Sequence, residues 1–201
     1  MSLETVSVLL LDIKGIADHR ESVVRLLSDE DIKASDRYLK DSDKLLHLGS
    51  AYLKKKYVEG NITIDSFGKP KSDRCFFNIS HSRDLVGIAI TQYGEVGLDI
   101  ENKEELKDDV TAFCLSDYEI NELGKETATE YFVSKESLAK AEGSGLPNDI
   151  KSLPALPLNG GVEYKGKKYF RHTVDNKSHY ISVTLEGADF ITYKEELEGN
   201  E

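Results

Sequence analysis

The segment Thr5 to Ile13, TVSVLLLDI, is rich in valine and leucine and predicts a buried strand. A short helical stretch is expected around Glu21 to Leu27. A longer helix follows over Ser42 to Tyr57, where Leu45, Leu46, Leu48, Tyr52 and Leu53 form an apolar face and Gly60-Asn61 supplies a stop signal. Strands are predicted at Ile62 to Asp65, Cys75 to Ile79, Leu85 to Thr91 and, after a turn at Gly94, Val96 to Glu101.

A charged loop from Asn102 to Asp109 leads into a second helical block, Ser116 to Gly143, with a break near Gly124. Short strands rich in aromatic and β-branched residues return at Lys167 to Val174, His179 to Leu185 and Phe190 to Tyr193. Each half therefore reads strand, long helix, then strands joined by hairpins. The expected class is α+β, with two similar α/β subdomains, 1–95 and 96–201, packed pseudo-symmetrically around a shared site.

Composition narrows the function classes. A formal net charge of -11 opposes non-specific nucleic-acid binding, which needs a positive field toward the phosphates. No stretch has the apolar length of a membrane span, and the opening Met1-Ser2-Leu3-Glu4 lacks a basic n-region, so a cytoplasmic chain is expected. Cys75 and Cys114 have neither CxxC spacing nor clustered histidines, so they read as small buried hydrophobes.

Three segments carry candidate chemistry. In Gly97-Leu98-Asp99-Ile100-Glu101, strand alternation puts Asp99 and Glu101 on one face and buries Leu98 and Ile100 on the other. Paired carboxylates suit a hard cation that completes its shell with water and phosphate oxygens, although a solvated acidic edge strand gives the same pattern. In Tyr131 to Lys140, Glu136 and Lys140 stand four apart, the spacing of a surface ion pair. Ser116-Asp117-Tyr118-Glu119 forms a capping box. In Phe76 to Ser82 a hydrophobic strand ends in Ser80-His81-Ser82, where a histidine can meet a phosphate. There is no G-x-S-x-G elbow and no P-loop.

Taken in order, Phe67-Gly68-Lys69-Pro70, Phe77-Asn78-Ile79-Ser80-His81-Ser82, Val96-Gly97-Leu98-Asp99-Ile100-Glu101 and Lys135-Glu136-Ser137, closed by Gly143-Ser144-Gly145-Leu146, resemble the 4'-phosphopantetheinyl transferase superfamily. The resemblance spans roughly residues 38 to 146, and a single chain of two halves is similar to the surfactin-type class, which implies a monomer. It implies Asp99, Glu101 and Glu136 as magnesium ligands, with manganese an alternative, and Glu136 as a candidate base. Lys135 and Lys140 match basic positions near the reacting centre. Ser80, His81, Lys69 and Lys40 match contacts to coenzyme A, all but Lys40 and Lys69 from the Ser-His motif. Two positions depart from the pattern. Leu45 stands where the family often has an arginine, with Lys44 beside it as the residue expected to take that place at coenzyme A, and Phe132 stands where the family usually has a tryptophan.

The implied reaction moves the phosphopantetheine group of coenzyme A onto a serine of an apo acyl or peptidyl carrier protein, releasing 3',5'-adenosine diphosphate. Lys135 is expected to orient the serine. The dense basic run Lys54-Lys55-Lys56, with Lys40 and Lys44, is a candidate surface for an acidic carrier. The alternatives are a non-catalytic relative that binds coenzyme A or a carrier, and an unrelated metal-dependent phosphohydrolase.

Overall fold

The computed structural model describes residues 6–104, 113–123, 128–145, 147, 149–187 and 191–195. The expected break at Gly124, the end of the charged loop and Leu146 lie outside them. In chain order the elements are β1 (Val6–Asp12), α1 (Ile13–Asp18), α2 (Arg20–Leu26), α3 (Asp29–Ser35), α4 (Asp41–Tyr57), β2 (Ile62–Ile64), β3 (Pro70–Ser72), β4 (Phe76–Ser82), β5 (Leu85–Thr91), β6 (Val96–Asn102), α5 (Asp117–Leu123), α6 (Ala128–Glu142), β7 (Asn159–Tyr164), β8 (Lys167–Asn176), β9 (His179–Glu186) and β10 (Ile191–Glu195). The fold is a mixed α+β arrangement.

Two four-stranded sheets, ordered β10-β1-β5-β4 and β6-β9-β8-β7, lie face to face. Alternation along their strands explains the packing. Val6, Val8, Leu10 and Ala89 of the first sheet meet Leu98, Ile100, Ile181, Val183 and Leu185 of the second in one core. Burying each of the larger side chains contributes about 1.5–3 kcal/mol. The opposite face of the first sheet, through Leu9, Val86 and Ile88, receives Ile16 of α1, Val23 of α2 and Leu46, Leu48 and Leu53 of α4. On the outer side of the second sheet, Leu138, Ala139 and Ala141 of α6 pack with Val162 and Tyr169.

Two strands, β3 and β7, and two short helices, α1 and α3, carry too few periodic positions to stand out in the sequence. The expected end of the β4 strand at Ile79 is corrected: the strand continues through Ser82 and pairs in full with β5. Ser80, His81 and Ser82 are therefore strand residues whose polarity has a structural cause. β4 and β6 are the edge strands of their respective sheets. Asn78, Ser80 and Ser82, which share one face of β4, accept hydrogen bonds from the backbone N–H groups of Leu98 (2.9 Å), Ile100 (3.3 Å) and Asn102 (3.0 Å). Polar side chains thus satisfy edge N–H groups that a backbone ladder would otherwise pair.

Candidate functional site

The joint between β4 and β6 opens into two neighbouring clefts that share His81 and Glu101. The smaller, about 300 Å³, is lined by Ser80, His81, Asp99, Glu101, Phe132, Glu136 and Lys140. The larger, about 580 Å³, adds Lys40, Asp43, Ser82 and Arg83. Six residues singled out from sequence therefore line one small cleft, and Lys40 joins His81 in the other.

Asp99 faces α6 because alternation sends its neighbours Leu98 and Ile100 into the core between the sheets. Helix and strand come unusually close here. A Cβ on Gly97 would lie 2.0 Å from the Ser137 carbonyl oxygen and 2.4 Å from the Ala141 nitrogen, so only glycine admits α6 at this height. One turn of the helix then carries both Glu136 and Lys140 toward the acids of β6. Lys140 Nζ is 2.6 Å from Asp99 Oδ1 and 3.2 Å from Ser80 Oγ. Asp99, not Glu136, is thus the carboxylate that Lys140 bonds, and the expected surface pair is replaced by a contact across two elements. Burial works against the Lys140 charge, but Asp99, then Glu136 and Glu101, outweigh it and raise the Lys140 pKa.

Glu136 has the opposite balance. Burial, reinforced by the negative charge of Asp99, pushes its carboxyl up to about 7, with Lys140 pulling the other way. The pKa of His81 is lowered by burial first and by the Lys140 charge second, so it is neutral at pH 7.

A hard cation is tested against this cleft by its donors. All three acids offer carboxylate oxygens, and Asp99 Oδ2 is buried without a hydrogen-bond partner. That orphaned oxygen fits a cation ligand. Among the described residues no group of three or more carboxylate, histidine or cysteine side chains is already drawn together to hold a metal. The ammonium of Lys140 sits on Asp99 Oδ1 instead. The chemistry of the donor set fits, with Lys140 as the internal counter-charge.

Three predicted residues have other occupations. Lys135 is fully buried and points away from the cleft, its Nζ 2.8 Å from Glu119 Oε2 and 3.1 Å from the Cys114 carbonyl oxygen. It is five residues from Lys140 and so projects from a different side of α6, and the expectation that it orients a nucleophile is corrected. Lys69 spends its three ammonium protons on Glu95 Oε2 (2.8 Å), the Lys140 carbonyl oxygen (2.7 Å) and the Val96 carbonyl oxygen (3.3 Å). It ties the approach to β3 to β6 and to the end of α6, and is not brought to the clefts. Lys44 lies 3.6 Å from Asp41 Oδ1 and is absent from the described lining of either cleft.

Ser80 is placed at the cleft, but its hydroxyl is already saturated. It donates to Asp99 Oδ1 at 3.0 Å and accepts from the Ile100 N–H and from Lys140. Ser82, which sequence reasoning left without a role, donates to Glu101 Oε2 at 3.1 Å. Glu119 was assigned only to its capping box. It forms that box with Ser116 and also pairs with Lys135, its pKa lowered by those bonds against the burial that would raise it. The i, i+2, i+4 polar spacing of Asn78, Ser80 and Ser82 was the signal available for the brace. Cys75 and Cys114 are both free and buried, as expected.

None of the curated proteins compared matches the chain. A family model does: residues 95–191, which hold Asp99, Glu101, Glu136 and Lys140 but not Ser80, His81, Lys40 or Lys69, match that of the 4'-phosphopantetheinyl transferase superfamily.

Proposed function

We propose that this chain transfers the 4'-phosphopantetheine group of coenzyme A to a serine of an apo carrier protein and releases 3',5'-adenosine diphosphate. The observation that carries the reading is the convergence of Asp99, Glu101, Glu136 and Lys140 with His81 in adjoining clefts, inside and beside the matched segment. The surfactin-type class is favoured because one chain supplies both sides of the joint, β4 from residues 1–95 and β6 with α6 from residues 96–201. A second copy is not needed to complete that joint, which supports a monomer.

Asp99, Glu101 and Glu136 would hold magnesium, or manganese, which takes the same oxygen donors. The cation, when bound, supplies charge neutralisation at the pyrophosphate. Lys140 stands beside Asp99 and can turn its ammonium to a phosphate oxygen as charge builds on the leaving group. Lys40 and His81 line the larger cleft, where the nucleotide end of coenzyme A would lie, with His81 donating to its 3'-phosphate. Glu136, the acid that α6 brings to the cleft, would accept the serine proton, directly or through a metal-bound water. The serine oxygen then bonds to the pantetheine-side phosphorus while the bond to the bridging oxygen breaks, and 3',5'-adenosine diphosphate leaves with that oxygen.

The deciding experiment incubates the protein with coenzyme A, magnesium and a panel of apo carrier proteins and follows carrier mass. A phosphopantetheine adduct is the expected result. Coenzyme A binding with no adduct on any carrier would leave a non-catalytic relative, and release of free phosphate would point to hydrolysis.

A further inference from the structure

The two serine hydroxyls of β4 do more than join the sheets. A hydroxyl has one proton, and each of these accepts from a β6 backbone N–H while directing its own proton to the acid preceding that N–H. Ser80 accepts from Ile100 and donates to Asp99, whereas Ser82 accepts from Asn102 and donates to Glu101. The backbone contact fixes the rotor, so the orientation of the carboxylate is set by the strand-to-strand spacing. Asn78, the third tooth, is a built-in control. It makes the same sheet-to-sheet bond to the Leu98 N–H, where β6 carries no acid.

We propose that Ser82 is a positioning residue for a divalent-cation site, orienting the Glu101 carboxylate through its hydrogen bond while the Asn102 N–H locks its hydroxyl. The inference rests on the reading of Asp99 and Glu101 as cation ligands. Ser82 is 6% exposed, so water does not readily replace its hydroxyl. Its carbonyl oxygen also accepts from His179 Nε2 at 3.2 Å, which fixes this end of β4 to β9. Second-sphere partners of this kind are worth about 10–100-fold in metal affinity.

The test measures Mn²⁺ binding directly, by loss of the free-ion electron paramagnetic resonance signal, with no coenzyme A or carrier present and with thermal melting as a check on folding. Ser82→Ala should weaken Mn²⁺ binding about tenfold or more. Ser82→Thr, which keeps the hydroxyl, should stay within about threefold of the parent, and Asn78→Ala should lose melting temperature without losing Mn²⁺ affinity. If Ser82→Ala fails to fold, Ser82→Cys, similar in shape with a weaker donor, is read in its place and should also bind more weakly. Equal Mn²⁺ affinity in the Ser82 and Asn78 variants, with Asp99→Asn defective, overturns the positioning role alone. No Mn²⁺ binding by the parent protein overturns that role and the cation reading together.

Discussion

Lys135 and Lys140 sit on the same helix, both bonded to a carboxylate, yet their surroundings differ in the one respect that separates structure from chemistry. Lys135 is closed in. Glu119 and the Cys114 carbonyl oxygen hold its ammonium, and Lys135 lines neither of the two clefts. Lys140 is open on one side. It faces Asp99, whose second oxygen has no partner, and Glu136, whose proton is held to about 7. A buried ion pair that is fully satisfied fixes geometry, whereas one left incomplete beside a cavity is ready to exchange partners.

The sharpest way to break this comparison is Asp99→Asn. Loss of one cation ligand should lower transfer by about 10³-fold or more, a change of at least about 4 kcal/mol in the barrier, while the melting temperature stays within a few degrees. Carrier mass and calorimetry read the two effects separately, and unaltered transfer would remove Asp99 from the mechanism. Lys135→Ala should do the reverse. It leaves Glu119 buried without its counter-charge and should cost about 3–5 kcal/mol in denaturant unfolding. The double variant Lys135→Met with Glu119→Gln should recover much of that stability. If it were no more stable than the single variant, the pair would not be the source of the loss.

Glu136 sharpens the open side. Its folded pKa of about 7 lies above the ordinary value of 4.5, so the folded state holds a proton that the unfolded state has released. In chelator-treated protein its contribution is therefore greatest at low pH and is lost as pH rises from about 4.5 through about 7. Glu136→Gln should flatten that slope and stabilise the protein at pH 8 by about 1–3 kcal/mol. Added magnesium should raise the parent melting temperature more at pH 8 than at pH 5.5. A parent stability that rises between these pH values without metal, and is unaffected by the substitution, would contradict the buried acid.

The smallest effect concerns His81. A bound phosphate monoester would raise its lowered pKa, so coenzyme A should bind a few-fold more tightly as pH falls from 7.5 to 6. Calorimetric titration checks this against dephospho-coenzyme A, which should show no such gain. His81→Gln should abolish the difference.

Much of this was legible in the sequence, and the exceptions have physical causes. Alternation placed Asp99 and Glu101 opposite Leu98 and Ile100 because a strand with one buried face leaves little choice of register. The helix around Glu136 was also legible, but motif order grouped Lys135 with Lys140, whereas the turn of the helix separates them. Spacing of four from Phe132 to Glu136 to Lys140 marks the cleft side, and these three residues do line one cavity. The fate of Lys69 was not legible. It depends on two carbonyl oxygens from distant segments, and backbone acceptors leave no trace in residue identity. Ser80 and Ser82 were visible as polar alternation but resembled a strand terminus until their partners on β6 were in place.

The strand β10 has a consequence for synthesis. It pairs in parallel with β1, Val6 opposite Ile191, so the first sheet receives its outer strand from a segment that follows every strand of the second sheet in sequence. On the ribosome, β1 must wait with one hydrogen-bonding edge open until every element from α1 to β9 has emerged. The first half can gather its helices but cannot finish its sheet alone. Maturation of the β4 side of the clefts is thereby tied to arrival of β10, and a nascent chain stalled before Ile191 presents an unguarded edge to its neighbours.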